Sequence, residues 1–191
     1  MLEYEKKIPL TFKEYQILIA LFNDNIKSVI QRNYYYDTDD FSMNKQGITY
    51  RIREKDGTYT ATVKKHNWNE PDCSLEKSEI VLNEYDTNAF SDKNVKFQGC
   101  LETYRTVIYS DKDIEIVLDR NTYLGIEDYE LEIEYSKDKK EYAEFKLRYM
   151  AYKLRDIDKS FNVLKFCSDT QTVKNKSERF FEMLKKIKNM L

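Results

Sequence analysis

Glu130, Glu132 and Glu134 stand at every second position of one segment, Tyr129-Glu130-Leu131-Glu132-Ile133-Glu134-Tyr135. In an extended strand alternate side chains share a face, so three carboxylates line up opposite Leu131, Ile133 and the flanking tyrosines. Like charges at that spacing repel and Glu is a poor strand former, so a merely solvated face would mix signs or carry Thr. Carboxylates held in a row suit hard cations such as Mg²⁺ or Mn²⁺, which take oxygen ligands. The same period places Glu3, Glu5 and Lys7 on one face of the first extended stretch. Basic residues alternate likewise: Arg51 with Arg53, Lys64 at the end of a threonine-lined arm, and Arg105 with Thr103 and Val107. Guanidinium forks match phosphate oxygens, and Lys adds a compact charge. Taken one strand at a time, each pattern is explained by a wet face. Over five strands together, the better reading is a cavity that holds cations on carboxylates and oxyanions on Lys and Arg.

The elements that must position these residues are mostly short strands. The first spans residues 2–8. Pro9 and Thr11 then introduce a helix: Thr11 and Glu14 have capping-box spacing, and Phe12, Tyr15, Leu18, Ile19 and Phe22 follow at helical intervals before Asn23-Asp24-Asn25. Residues 28–37 are extended and Asp37-Thr38-Asp39-Asp40 breaks them. Residues 48–53 alternate again, and Asp56-Gly57 is a hairpin signal leading into a returning strand over 59–64. Residues 66–74 read as a loop, 75–81 as a strand, and 83–99 as a short helix and a turn. Strands over 101–109, 114–119 and 129–135 complete eight, with a turn over 121–125. Short connections make them mostly antiparallel, which predicts an α+β fold built on an eight-stranded barrel or strongly curled sheet. Alternation alone does not give register, so which charged faces coincide stays open here. The last third turns helical, over 142–153 and in a closing helix over 180–191.

Composition narrows the classes. A chain of 191 residues suits one domain, 1–191. With 35% charged residues but only 4 Gly and 2 Pro, it reads as ordered and soluble and not as a linker. The net charge of −2 creates no molecule-wide field, so a polyanion site must come from local clustering. Nucleic acid is not an expected partner, since no basic stripe lies along an exposed helix. Cys73, Cys100 and Cys167 are odd in number with no CxxC pair, which fits reduced thiols in a cytoplasmic protein. No signal peptide and no apolar run of membrane-spanning length are read in the chain, so no membrane role is expected. His66 is the single histidine, which excludes His-rich metal sites and argues against a His-based triad.

Taken in order, the motifs resemble the CYTH, or triphosphate tunnel metalloenzyme, superfamily. Its hallmark Glu-x-Glu-x-Lys stands as Glu3-Tyr4-Glu5-Lys6-Lys7. The likeness continues through Tyr34 to Thr38, Gln46-Gly47-Ile48, Arg51-Ile52-Arg53, the Lys64 strand end, Leu101 to Arg105, Leu118-Asp119-Arg120, the Glu130–Glu134 strand and Lys174 to Arg179. The resemblance implies an eight-stranded antiparallel tunnel with helices outside, and a triphosphate-containing small molecule bound with Mg²⁺ or Mn²⁺. It further implies that Lys7, Arg51, Arg53, Lys64 and Arg105 grip phosphate oxygens, with Lys176 and Arg179 reaching in from the last helix. Metal ligation would fall to Glu3, Glu5, Glu76, Asp119, Glu130, Glu132 and Glu134, and Lys7 and Glu5 would stand next to the reacting atoms. Two positions depart from the pattern: Thr103 replaces a common Lys, and after Glu76 the next same-face position is Ser78, with Glu79 pointing oppositely by simple alternation. The expected activity is hydrolysis of inorganic triphosphate to diphosphate and phosphate. Thiamine or nucleoside triphosphatase, adenylate cyclase, or a non-catalytic binder of polyphosphate or nucleotides are the alternatives.

Overall fold

The computed structural model describes residues 2–22, 27–66, 73–167 and 173–190; for residues 2, 3, 73–79 and 167 it describes the backbone alone. The strands are β1 (Leu2–Leu10), β2 (Lys27–Asp37), β3 (Ile48–Lys55), β4 (Thr58–His66), β5 (Cys73–Leu82), β6 (Lys96–Ser110), β7 (Ile114–Tyr123) and β8 (Ile126–Tyr135). They close into a barrel in the order β1-β5-β4-β3-β2-β6-β7-β8, and every neighbouring pair is antiparallel. The helices are α1 (Phe12–Leu21), α2 (Ser42–Lys45), α3 (Lys140–Ile157), α4 (Leu164–Cys167) and α5 (Lys176–Lys188). Among the described residues no helix is long and apolar enough to cross a membrane.

Where α1 and α3 cover it, the barrel is apolar on its outside. Ile8, Leu10, Ile114, Ile116, Leu118, Leu131 and Ile133 pack under Tyr15 and Leu18 of α1 and under Ala143, Leu147, Met150, Ala151 and Leu154 of α3. Because side chains alternate along a strand, burying this set outward turns the other set into the lumen. The main core therefore lies between wall and helices, and the charged residues occupy the tunnel. The capping box at Thr11 and Glu14 forms as the sequence predicts and fixes where α1 leaves β1.

Four local expectations change in the barrel and its connections. The stretch 83–99 contains a single 3₁₀ turn, Ser91–Lys93, and β6 starts at Lys96; Tyr85 and Phe90 pack on Tyr36 and Ile52 of the barrel wall, and that burial decides the path. The turn read over 121–125 shrinks to Leu124-Gly125, both with positive φ (48° and 78°), as a two-residue hairpin turn requires. Asn121 and Tyr123 thereby remain in β7. Of the loop read over 66–74, His66 belongs to β4 and residues 73 and 74 to β5, and the remainder lies outside the described residues. Finally, β5 is bulged: Ala61 pairs with Ile80 but Val63 with Lys77, so Ser78 and Glu79 together oppose Thr62. The alternation reverses there, which removes the reason for assigning position 79 to the face opposite Glu76.

The C-terminal helix begins earlier than position 180. Asn175 caps it and Glu178 reaches back to the cap, so the first turn already starts at Lys176. Phe180, Phe181 and Leu184 of α5 pack against Tyr35, Leu101 and Tyr123, and α5 thus lies across one end of the barrel. The fit is tight at Gly99. Its φ is +148°, and a Cβ there would meet the Phe180 ring at 2.7 Å.

Candidate active site

Register decides what alternation left open. Partners across an antiparallel pair share a face. Glu5 pairs with Glu134 and Lys7 with Glu132 across β1–β8, while Asp119 pairs with Glu130 across β7–β8 and Arg105 with Asp119 across β6–β7. On the far wall Arg53 pairs with Asn33, Arg51 with Tyr35 and Thr62, and Lys64 with Thr49 and Glu76. The faces of all eight strands line one lumen. The backbone positions of Glu3 and Glu76 belong to it by register, opposite Ser74 and Lys64, while their side chains lie outside the described residues.

The carboxylates gather in two groups that share Glu132. Glu5, Glu132 and Glu134 bring one oxygen each within 4.8 Å of one another, and so do Asp119, Glu130 and Glu132. Around the first group, Lys7 Nζ lies 2.5 Å from Glu5 Oε1 and 3.8 Å from Glu132, and Lys64 Nζ lies 3.1 Å from the same Glu5 oxygen. Arg105 bridges the groups: Nη2 donates to Asp119 Oδ2 at 2.7 Å and to Glu132, and Nη1 stands 3.4 Å from Glu134. All-oxygen donor sets without sulfur or imidazole fit Mg²⁺ or Mn²⁺ and not a soft metal.

The second group faces α5. Lys176 Nζ contacts Asp119, Glu130 and Glu132. Arg179, one turn further on, holds Asp128 through Nε at 3.0 Å and Glu130 through Nη1 at 2.9 Å. Asn121 donates to Asp128 (2.9 Å) and Glu130 (3.2 Å) and accepts from the buried Thr103 hydroxyl (2.7 Å). Thr103 thus supports a carboxylate indirectly, where the resemblance would place another ammonium.

The arginines of β3 are aimed by neutral partners. Arg51 Nε donates to Thr62 Oγ1 at 2.9 Å, and Arg53 Nε donates to Asn33 Oδ1 at 3.1 Å. Each bond fixes the plane of a guanidinium through its Nε edge. Thr62, Asn33, Asn121 and Asp128 are residues that the sequence reading passed over. For Thr62, Asn121 and Asp128 the signal was present, since they continue the period-two faces of Lys64, Asp119 and Glu130, whereas Asn33 meets Arg53 only through register.

Electrostatics separates the carboxylates. Burial pushes the Glu5 carboxyl up, yet the ammoniums of Lys7 and Lys64 outweigh it and bring it down to about 2. Burial likewise opposes ionisation of Glu130 and Glu132, and the cations together more than reverse it: Lys176 with Arg179 at Glu130, and Lys176 with Arg105 and Lys7 at Glu132. Glu134 goes the other way. Desolvation raises it, Arg105 only partly compensates, and Glu132 and Glu5 add repulsion. Lys176 and Arg179 are both held charged: burial disfavours this, but the carboxylates around them prevail. Among the described lumen carboxylates with a shifted pKa, Glu134 is therefore the one whose charge is least compensated.

The comparisons agree with this architecture. The family model of the CYTH domain matches residues 1–160. A relative from Bacillus subtilis, the candidate triphosphatase YjbK, is 34% identical over 152 residues, which are 70% of this chain and 77% of the relative. The crystal structure of a candidate adenylate cyclase from Bacillus halodurans superposes with a TM-score of 0.64 at 26% identity, covering 94% of this chain and 97% of that one. HpAC1 from Hippeastrum, described as having a dominant triphosphatase activity, shares the fold with a TM-score of 0.60 at 17% identity over 78% of this chain and 87% of its own. With the family model spanning all eight strands and a relative above 30% identity, the chain belongs to the CYTH domain family.

Proposed function

We propose that this protein hydrolyses inorganic triphosphate to diphosphate and phosphate with Mg²⁺ or Mn²⁺. The observation that carries the reading is one lumen in which two carboxylate groups face basic residues from β1, β3, β4 and β6. Glu5, Glu132 and Glu134, or Asp119, Glu130 and Glu132, would hold the divalent ion, which would supply Lewis-acid stabilisation of the charge on the phosphates. Arg51, Arg53, Lys64 and Arg105 hold the phosphate chain and neutralise charge on the transferring and leaving groups. Lys7, seated between Glu5 and Glu132, stands nearest the reacting phosphate, and Glu5 is ionised and able to accept a hydrogen bond from the attacking water. Lys176 and Arg179 close the α5 end of the grip. No protein nucleophile is needed. The relative named as a triphosphatase supports the reading, and a cytoplasmic location suits it.

A panel of inorganic triphosphate, ATP, thiamine triphosphate, longer polyphosphate and diphosphate, each with Mg²⁺, Mn²⁺ or a chelator, tests it. Each added phosphate recruits further charge-assisted bonds, so triphosphate should be cut and diphosphate spared. Equal rates on diphosphate, or turnover unaffected by chelator, would sink the proposal. Preference for an organic triphosphate would move the substrate but keep the grip, and tight binding without turnover would leave a binding module.

A further inference from the structure

Lysine and arginine reach the lumen from β1, β3, β4 and β6, but the face that β2 turns inward carries no charge from Val29 to Tyr35. Val29, Gln31 and Asn33 pair there with Arg105, Thr103 and Leu101 of β6. On the other side Gln31, Asn33 and Tyr35 oppose Lys55, Arg53 and Arg51 of β3. Gln31 is 4% exposed and Asn33 2%. Amide side chains so deeply covered are as a rule hydrogen-bonded within the protein.

These two keep their amide nitrogens back from the fold. Asn33 Oδ1 accepts from Arg53 Nε at 3.1 Å, while no described residue accepts from its Nδ2. Gln31 hydrogen-bonds to no described residue through either amide atom. Among the described residues the Tyr4 hydroxyl alone is both fully covered and without a partner. The Gln31 and Asn33 nitrogens are therefore reached from the space that their strand face borders, and that space is the tunnel.

Their place in it is specific. Gln31 lies one same-face step from Asn33, whose partner is Arg53, and one from Val29, whose partner is Arg105. Two amides about 7 Å apart along the strand thus stand between guanidiniums of two walls. A neutral donor suits this position. Arg105 is matched by Asp119, Glu132 and Glu134, but the inward faces of β2 over 29–35 and of β3 over 49–55 hold no carboxylate. A further cation between Arg53 and Arg105 would be repelled before any anion entered. An amide offers two N–H donors without that repulsion.

We propose that Gln31 and Asn33 donate their amide N–H groups to phosphate oxygens lying between Arg53 and Arg105, so that β2 is the neutral wall of the triphosphate site. This rests on the triphosphate reading above and adds to it contacts that bind by hydrogen bonding alone.

Steady-state kinetics of the intact chain on inorganic triphosphate with Mg²⁺, beside thermal melts without substrate, test it. Gln31→Met keeps the length of the side chain and removes both polar atoms. A neutral hydrogen bond is worth about tenfold or less, so KM should rise about three- to tenfold with kcat unchanged, as for a contact made equally in ground and transition states. The Tm should stay at the wild-type value, because no bond within the protein is lost. Gln31→Glu keeps the shape but sets a carboxylate against phosphate, and should raise KM by about a hundredfold or more. Asn33→Asp keeps the acceptor for Arg53, removes the donor and should also raise KM. A wild-type KM in Gln31→Met overturns the inference, and so does a Gln31→Glu that binds as tightly as the wild type, since the amide would then serve a cation. A lowered Tm in Gln31→Met would make Gln31 part of the fold and overturn it equally. If Gln31→Met does not fold, Gln31→Ala and Gln31→Glu decide on the same terms. Normal wild-type turnover with unaffected variants removes this inference alone; a wild type that neither binds nor cleaves triphosphate removes the functional reading and this with it.

Discussion

Glu132 and Glu134 sit two positions apart on β8 and carry opposite electrostatic loads. Seen as a row of like charges, either one replaced by Gln should relieve repulsion and stabilise the metal-free protein. The structure reverses that sign for Glu132. It is buried against Lys7, Arg105 and Lys176, so Glu132→Gln leaves cations short of a partner and should cost about 3–5 kcal/mol. Glu134, whose ionisation is disfavoured, keeps the original sign: Glu134→Gln should be neutral or stabilising. Thermal melts in chelator compare the two, and equal destabilisation by both would refute the assignment. Both variants should lose turnover. A second contrast separates Lys7 from Arg53. Lys7 touches the carboxylates of Glu5 and Glu132, whereas Arg53 lies across the lumen on β3 and is aimed by Asn33. Lys7→Ala should therefore mainly lower kcat and Arg53→Ala mainly raise KM. Steady-state kinetics on inorganic triphosphate decide it; a pure KM effect for Lys7→Ala would make Lys7 one more clamp.

At the scale of elements, α5 both seals the barrel end and delivers Lys176 and Arg179. Its anchor is aromatic: Phe180 lies against Tyr35 at a centroid distance of 5.0 Å and against Phe181 edge-on at 5.3 Å, with Gly99 cleared to admit the ring. Phe180→Ala removes a fully buried ring and should cost about 3–5 kcal/mol in urea denaturation. A loss below about 1 kcal/mol would mean that the end-plate packing does not hold the helix. α1 and α3 play a different part. They cover the outer face of β1, β7 and β8, and by making that face apolar they assign the carboxylate face to the lumen.

For the whole molecule, the tunnel predicts an acid limit. The folded Glu5 carboxyl titrates at about 2 instead of 4.5. A depressed carboxyl contributes stability that is present above the unfolded value and lost as pH falls from 4.5 towards about 2. Glu130 and Glu132 act in the same direction, and Glu134 in the opposite one, its contribution being present below 4.5 and lost as pH rises through its raised value. Three against one, stability should fall steeply on acidification. Urea midpoints across that window measure the slope, and Glu5→Gln should flatten it; an unchanged slope would show that Glu5 is not held by Lys7 and Lys64.

Much of this was legible in the residues alone. Period-two charge on several strands, with apolar partners between, determines that a charged face exists, because alternation is a property of the extended backbone. The Thr11–Glu14 cap and the Asp56-Gly57 turn were readable for the same reason, since their chemistry is local. The ordered motifs of β1, β3, β6 and β8 carried the family. Tertiary structure decided what is not local. Register brought Lys7 beside Glu132 and Arg105 beside Asp119, the β5 bulge reset the parity of position 79, and the cations that packing gathers round Glu132, not spacing, gave Glu132 and Glu134 opposite titration shifts. Most of all, the carboxylates that Lys176 neutralises lie 44 to 57 positions before it, and only the docking of α5 on the barrel end brings them together. A charge is written in the sequence; its partner is chosen by packing.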